Sequence, residues 1–111
     1  MIKLKAWDIS RAKRLLKEES PTFAHAMADG IIAGNVYVDY SVSRRTAIFQ
    51  TLSGVYHLAG RPPERERNEW LHHLKERTHG RRFTVFSDSP EWDAFLTDGL
   101  RDSLQQMIKR T

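Results

Sequence analysis

The chain has 111 residues, 40% of them hydrophobic and 29% charged, with a net charge of +4 and no cysteine. One domain's length and a globular composition argue against two independent cores and against a disordered chain. Without cysteine there are no disulfides, thiolate metal sites, Fe–S clusters or cysteine nucleophiles. The longest apolar runs are only a few residues, far short of the ~18 needed to span a bilayer.

Asp8 or Ser10 can cap a first helix over Arg11–Glu19, with Ile9, Ala12, Leu15 and Leu16 at helical spacing. Ser20-Pro21 reads as an N-cap and N1 proline opening a second helix. Phe23, Met27 and Ile31 recur on its apolar face, which Ala24, Ala28 and Ile32 widen, and Gly34-Asn35 closes it. His25 falls outside that face. The period then becomes two. Val36–Tyr40, Thr46–Thr51 and Val55–Ala59 read as three strands joined by polar turns at Ser41–Arg45 and Leu52–Gly54, an antiparallel meander. Gly60-Arg-Pro-Pro63 breaks the pattern. A weakly amphipathic helix follows over Glu64–His79, burying Trp70, Leu71 and Leu74 and stopped by Gly80. Arg82–Ser87 is a fourth strand, and its return through a helix implies parallel pairing. Ser89-Pro90-Glu91 opens a last helix whose apolar stripe is Trp92, Phe95, Leu96, Leu100, Leu104, Met107 and Ile108. The order α-α-β-β-β-α-β-α predicts an α/β (α+β) fold. It is a single domain over 1–111, with a small mixed, mainly antiparallel sheet covered by helices.

The charge is uneven. Residues 61–82 carry seven basic side chains against four acidic ones, and residues 83–111 three against five. Arg61, Arg65, Arg67, Lys75, Arg77, Arg81 and Arg82 make a polyanion-binding module one reading of this region. Glu64, Glu66, Glu69 and Glu76 dilute the stripe, which favours a solvated helix face and disfavours nucleic acid as a partner.

The histidines fall in different settings. His72 and His73 point about 100° apart on a helix, and with Glu69 and His79 they make a weak metal set without His-Glu-x-x-His spacing. No metal is expected. His57 alternates onto the strand face of Val55 and Ala59, where a general base is one reading and a buried, backbone-satisfied side chain the better one. Trp7, Trp70 and Trp92 read as core. No Gly-x-Ser-x-Gly elbow and no glycine-rich phosphate loop is present.

One stretch carries a resemblance. It runs from Gly34-Asn-Val-Tyr-Val-Asp-Tyr40 through Thr46-Ala-Ile-Phe-Gln50 and Gly54-Val-Tyr-His-Leu-Ala-Gly60 to Phe83-Thr-Val-Phe-Ser-Asp-Ser-Pro-Glu-Trp92. This pattern resembles the N-terminal half of a two-part, GNAT-like bacterial acetyltransferase group that includes the zwittermicin-resistance acetyltransferases. The strand-end Ala59-Gly60 and Trp92 after the last strand are its most specific points. The resemblance implies a degenerate GNAT half, with acetyl-CoA bound by a C-terminal catalytic half. That superfamily cradles the CoA pyrophosphate on a Gln/Arg-x-x-Gly-x-Gly/Ala loop opening a helix. Arg77-Thr-His-Gly80-Arg-Arg82 matches only its first two positions and precedes a strand. At the proper junction, Arg61-Pro62-Pro63 supplies few N–H donors.

No catalytic residue and no cofactor is therefore expected in this chain. The expected role is a cytoplasmic, non-catalytic domain that shapes the acceptor side of a longer acetyltransferase, or packs on its catalytic half or on a second copy. A protein-interaction module is the other alternative. The length of 111 residues is itself read as too short for a complete enzyme of this kind.

Overall fold

Alternation in the three central strands sends bulky residues to both sides of one sheet, so helices must cover both faces. A computed structural model of the chain describes residues 1–40, 45–63, 65–78, 84–87 and 89–99. It shows β1 (Ile2–Lys3), a 3-10 helix (Ala6–Leu15), α1 (Thr22–Ala28), β2 (Gly34–Val38), β3 (Thr46–Thr51) and β4 (Val55–Gly60). Then come α2 (Arg67–Thr78), β5 (Thr84–Ser87) and α3 (Pro90–Gly99). The strands lie in the order β1-β2-β3-β4-β5. The first three pairings are antiparallel, and β5 runs parallel to β4. The mixed, mainly antiparallel α/β architecture is the expected one.

Two apolar layers flank the sheet. On one face Tyr37, Ile48, Tyr56, Leu58 and Val85 pack with Trp70, Leu71 and Leu74 of α2 and with Trp92, Phe95 and Leu96 of α3. On the other, Val36, Val38, Ala47, Phe49 and Ala59 meet Ala12 of the 3-10 helix and Ala24, Met27 and Ala28 of α1. The one-residue alternation along each strand divides these sets. Trp70 and Trp92 are fully buried, and Trp92 meets Phe95 edge-to-face with ring centres 5.3 Å apart.

Several local expectations change. A two-residue β1 precedes the helices and pairs with β2. The first helix is a 3-10 helix over Ala6–Leu15, not an α-helix over Arg11–Glu19. Ala6, Ile9, Ala12 and Leu15 recur every three residues, which makes one apolar row on a helix of three residues per turn. Ser20 does not cap α1. Its hydroxyl accepts the Lys17 N–H at 2.8 Å, and Pro21 takes the cap position with its carbonyl accepting the Ala24 N–H.

The second helix also ends early. Gly30 adopts φ +76°, its N–H bonds the Met27 carbonyl, and the Ile31 N–H bonds the Ala26 carbonyl. That pair is a Schellman cap. Gly34 instead opens β2, where a Cβ would press on Met27 Cε and the Gln50 carbonyl oxygen. Ile31 and Ile32, expected in the core, are exposed, and so is Trp7. His25 is half-buried, its Nε2 donating to the Lys17 carbonyl at 2.9 Å. Before α3, the Ser89 carbonyl accepts the Trp92 N–H, while the Ser89 hydroxyl finds no partner among the described residues. The expected turn residues 41–44, Glu64, His79, the Gly80 stop and the stripe from Leu100 through Leu104 and Met107 to Ile108 lie outside the described residues.

Candidate functional site

The end of the sheet where β4 delivers the chain to α2 is the junction at which a phosphate-binding loop would have to stand. Gly60 closes β4 with φ +76°, and a Cβ there would land on the Arg45 carbonyl oxygen. That same oxygen accepts the Arg61 N–H at 3.0 Å. The Arg61 carbonyl accepts the Thr46 hydroxyl at 2.5 Å, and the Gly60 carbonyl accepts the Trp92 indole N–H at 3.1 Å. Pro62 and Pro63 have no N–H to offer. The backbone between β4 and α2 is thus tied to β3 and α3, and one of its few donors is already used.

Charge closes the junction further. Glu66 stands just before α2, where the helix dipole favours an anion. Its carboxylate accepts the Tyr40 N–H at 2.7 Å and the Trp70 indole N–H at 3.3 Å, and it pairs with the Met1 amino group at 2.7 Å. Glu69 pairs with the same amino group. Burial pushes the Glu66 carboxyl up, but the bonds from Met1, Tyr40 and Trp70 outweigh it and hold the group below its ordinary range. The positive end of α2 is therefore already served by a carboxylate of the chain itself. Neither this charge nor the proline-rich backbone fits a CoA pyrophosphate.

Among the described basic residues, Arg77 stands apart from those at the start of α2. Arg61 and Arg65 are exposed near the start of α2, and the Arg67 guanidinium lies 5.1 Å over the Phe95 ring. Arg77 is ten residues further along the helix, about 15 Å away at 1.5 Å per residue. Arg81 and Arg82 lie outside the described residues.

His57 sits elsewhere again. It is fully buried in mid-sheet, registered between Phe49 and Phe86, with its ring centre 6.3 Å from that of Phe49. Its side chain is shielded from solvent in this arrangement. His72 is exposed and 3.4 Å from Glu76. His73 turns inward, its ring 4.4 Å from Tyr37 and its Nε2 donating to Gln50 Oε1 at 3.3 Å. Burial and the nearby Arg77 push its pKa down to about 4. Among the described residues no three His, Asp or Glu side chains converge as a metal site requires, and no helix there is long and apolar enough to cross a membrane.

Glu66 carries little signal in the sequence. As one acid among four in a charged helix start it looks routine, and its only local signal is Trp70 four residues on, one helical turn away. Tyr40 and Met1 reach it from distant parts of the chain.

Comparison with known proteins now bears on this geometry. The family model described as GNAT acetyltransferase matches residues 13–111. The chain is also similar to the uncharacterized N-acetyltransferase YdfB of Bacillus subtilis (strain 168), at 34% identity over 89 residues. That match covers 78% of this chain and 34% of the relative, so the chain spans about a third of that protein's length. The five-stranded sheet with one parallel pair, flanked by helices on both faces, agrees with the match, and the chain belongs to the GNAT acetyltransferase family.

Proposed function

We propose that this chain is a non-catalytic GNAT domain which shapes the acceptor side of an N-acetyltransferase or packs on its catalytic half. Acetyl-CoA would be bound by that other half, whether in the same polypeptide or in another. One observation carries the reading. The junction from β4 to α2 presents two prolines, an Arg61 N–H committed to Arg45 and a Gly60 carbonyl committed to Trp92, with the Glu66 carboxylate at the helix start. A pyrophosphate would meet a negative charge where it needs N–H donors. The third-length match to YdfB supports the reading too, because it leaves most of that relative for a second unit.

Calorimetric titration of the 111-residue chain with acetyl-CoA tests it directly. No heat of binding is expected up to millimolar ligand. Micromolar affinity would overturn the assignment and make this domain the cofactor-binding one.

A further inference from the structure

The short first strand places Met1. Ile2 pairs with Val38 and Lys3 with Tyr37, so β1 continues the alternation of β2. Met1 therefore falls on the Tyr37 face, the one that α2 covers, and its side chain packs against that core with 9% exposed. Its α-amino group meets the start of α2. It pairs with the Glu66 carboxylate at 2.7 Å and with the Glu69 carboxylate as well.

The two acids share one helical face, being three residues apart. The Glu66 carbonyl accepts the Trp70 N–H at 3.1 Å, so Glu66 begins the helix and Glu69 stands in its first turn. The helix dipole favours both carboxylates there, while their charges repel each other. An ammonium between them removes that repulsion and ties β1 to α2.

We infer that the Met1 nitrogen is a modification-sensitive site, where any acyl group, whether formyl, acetyl or a preceding residue, unlocks the corner between β1 and α2. An α-ammonium carries one charge and three N–H donors, whereas the amide that replaces it is neutral and keeps one. Glu66 retains its bonds from Tyr40 and Trp70, so the loss falls on the cation. The two carboxylates are then left facing each other, with Glu66 only 17% exposed, and the acyl group must enter the space they occupy. Removing one partner from a shielded ion pair costs far more than removing it from an exposed pair.

The same contacts oppose the modification itself. Acylation begins with loss of a proton to solvent, which frees the nitrogen lone pair. That pair attacks the carbonyl carbon of an activated acyl group such as a thioester, the C–S bond breaks, the thiolate leaves and a second proton passes to solvent. In the closed corner the nitrogen is shielded and its protons are held by two carboxylates. Closure and acylation therefore exclude each other, and the state of this one nitrogen sets how firmly the corner is shut. The inference stands apart from the reading of the β4–α2 junction, since its test is stability and amine reactivity rather than acetyl-CoA binding.

Three forms of the chain test it at pH 7.5, one beginning with free Met1, one with acetylated Met1 and one with a glycine before Met1. The thermal midpoint should fall by about 5 °C or more in both modified forms. In Glu69→Gln the acetyl effect should shrink by about half, and in Glu66→Gln/Glu69→Gln it should drop below about 2 °C. Glu69 is half exposed, so its single variant serves if the double variant fails to fold. Reaction with an acetyl thioester supplies a measurement free of substitutions. Mass spectrometry of the N-terminal peptide should show the Met1 amine reacting at least about tenfold more slowly in the folded chain than in urea, relative to exposed Lys5. Unchanged midpoints in the modified forms overturn the proposal. So does an undiminished acetyl effect in Glu69→Gln, which would make the disturbance steric rather than ionic, and so does a Met1 amine equally reactive in the folded and unfolded chain.

Discussion

Gly30 and Gly60 share φ +76°, yet their surroundings separate what a methyl group would do. Around Gly30 the space is open, so Gly30→Ala meets only the cost of a left-handed backbone, about 1–2 kcal/mol. At Gly60 the added carbon would collide with the Arg45 carbonyl oxygen, which also holds the Arg61 N–H. Gly60→Ala must therefore shift backbone where the end of β4 faces the start of β3, and a loss of about 3 kcal/mol or more is expected. Urea unfolding of the two variants side by side checks this, and equal losses would contradict it. Pattern places Gly60 at a strand end and Gly30 inside the apolar run that continues to Ile32. Which one is sterically locked depends on Arg45, fifteen residues before Gly60 along the chain and immediately ahead of β3.

At the scale of elements, the last helix and the central sheet are joined by a hydrogen bond as well as by packing. The Trp92 indole N–H reaches the Gly60 carbonyl, while the ring sits fully buried against Phe95. Trp92→Phe keeps an aromatic ring but removes the indole hydrogen bond to that carbonyl and leaves the space of the larger ring partly empty. The expected loss is about 2–3 kcal/mol in chemical denaturation, and a loss below about 0.5 kcal/mol would show that the bond contributes nothing. The strands that organise this packing were legible, because period-two alternation in β3 and β4 is set by residues two apart. The parallel return of β5 followed from the helix before it. The 3-10 helix is hidden in the sequence because Ile9, Ala12, Leu15 and Leu16 satisfy α-helical spacing too, and only packing on the sheet selects the three-residue row. The end of the second helix is hidden too, because Ile31 and Ile32 continue its apolar pattern past Gly30. That pattern belongs to an exposed patch rather than to the core, and periodicity records apolarity without recording what covers it.

For the molecule as a whole, Glu66 and His73, both with lowered pKa values, sit where α2 meets the sheet, so acid should loosen that layer first. The candidate site was legible only in outline. Pro62 and Pro63 announce a junction poor in donors, whereas Glu66, His73 and Gln50 acquire their roles from partners brought in by the fold. His73 is buried against Tyr37 and bonded to Gln50, and its pKa falls from the ordinary 6.5 to about 4. Between those values the unfolded chain binds a proton that the folded chain refuses. Stability from this group is therefore complete above pH 6.5, falls as pH drops towards 4, and changes no further below it. The full shift corresponds to about 3 kcal/mol, and because His73 keeps some solvent contact the expected loss is smaller, on the order of 1–2 kcal/mol. Glu66 acts in the same direction lower on the scale, since its depressed carboxyl stabilises the fold above the ordinary carboxylate range and loses that contribution as protonation proceeds. Urea midpoints measured at pH 7.5, 5.5 and 4.0 should decline throughout. In His73→Gln, which retains a side chain able to bond Gln50, the decline between pH 6.5 and 4 should flatten while the lower limb due to Glu66 persists. If the variant keeps the full slope above pH 4.5, the buried imidazole is not what makes the fold acid-sensitive, and the titration must be sought in other histidines.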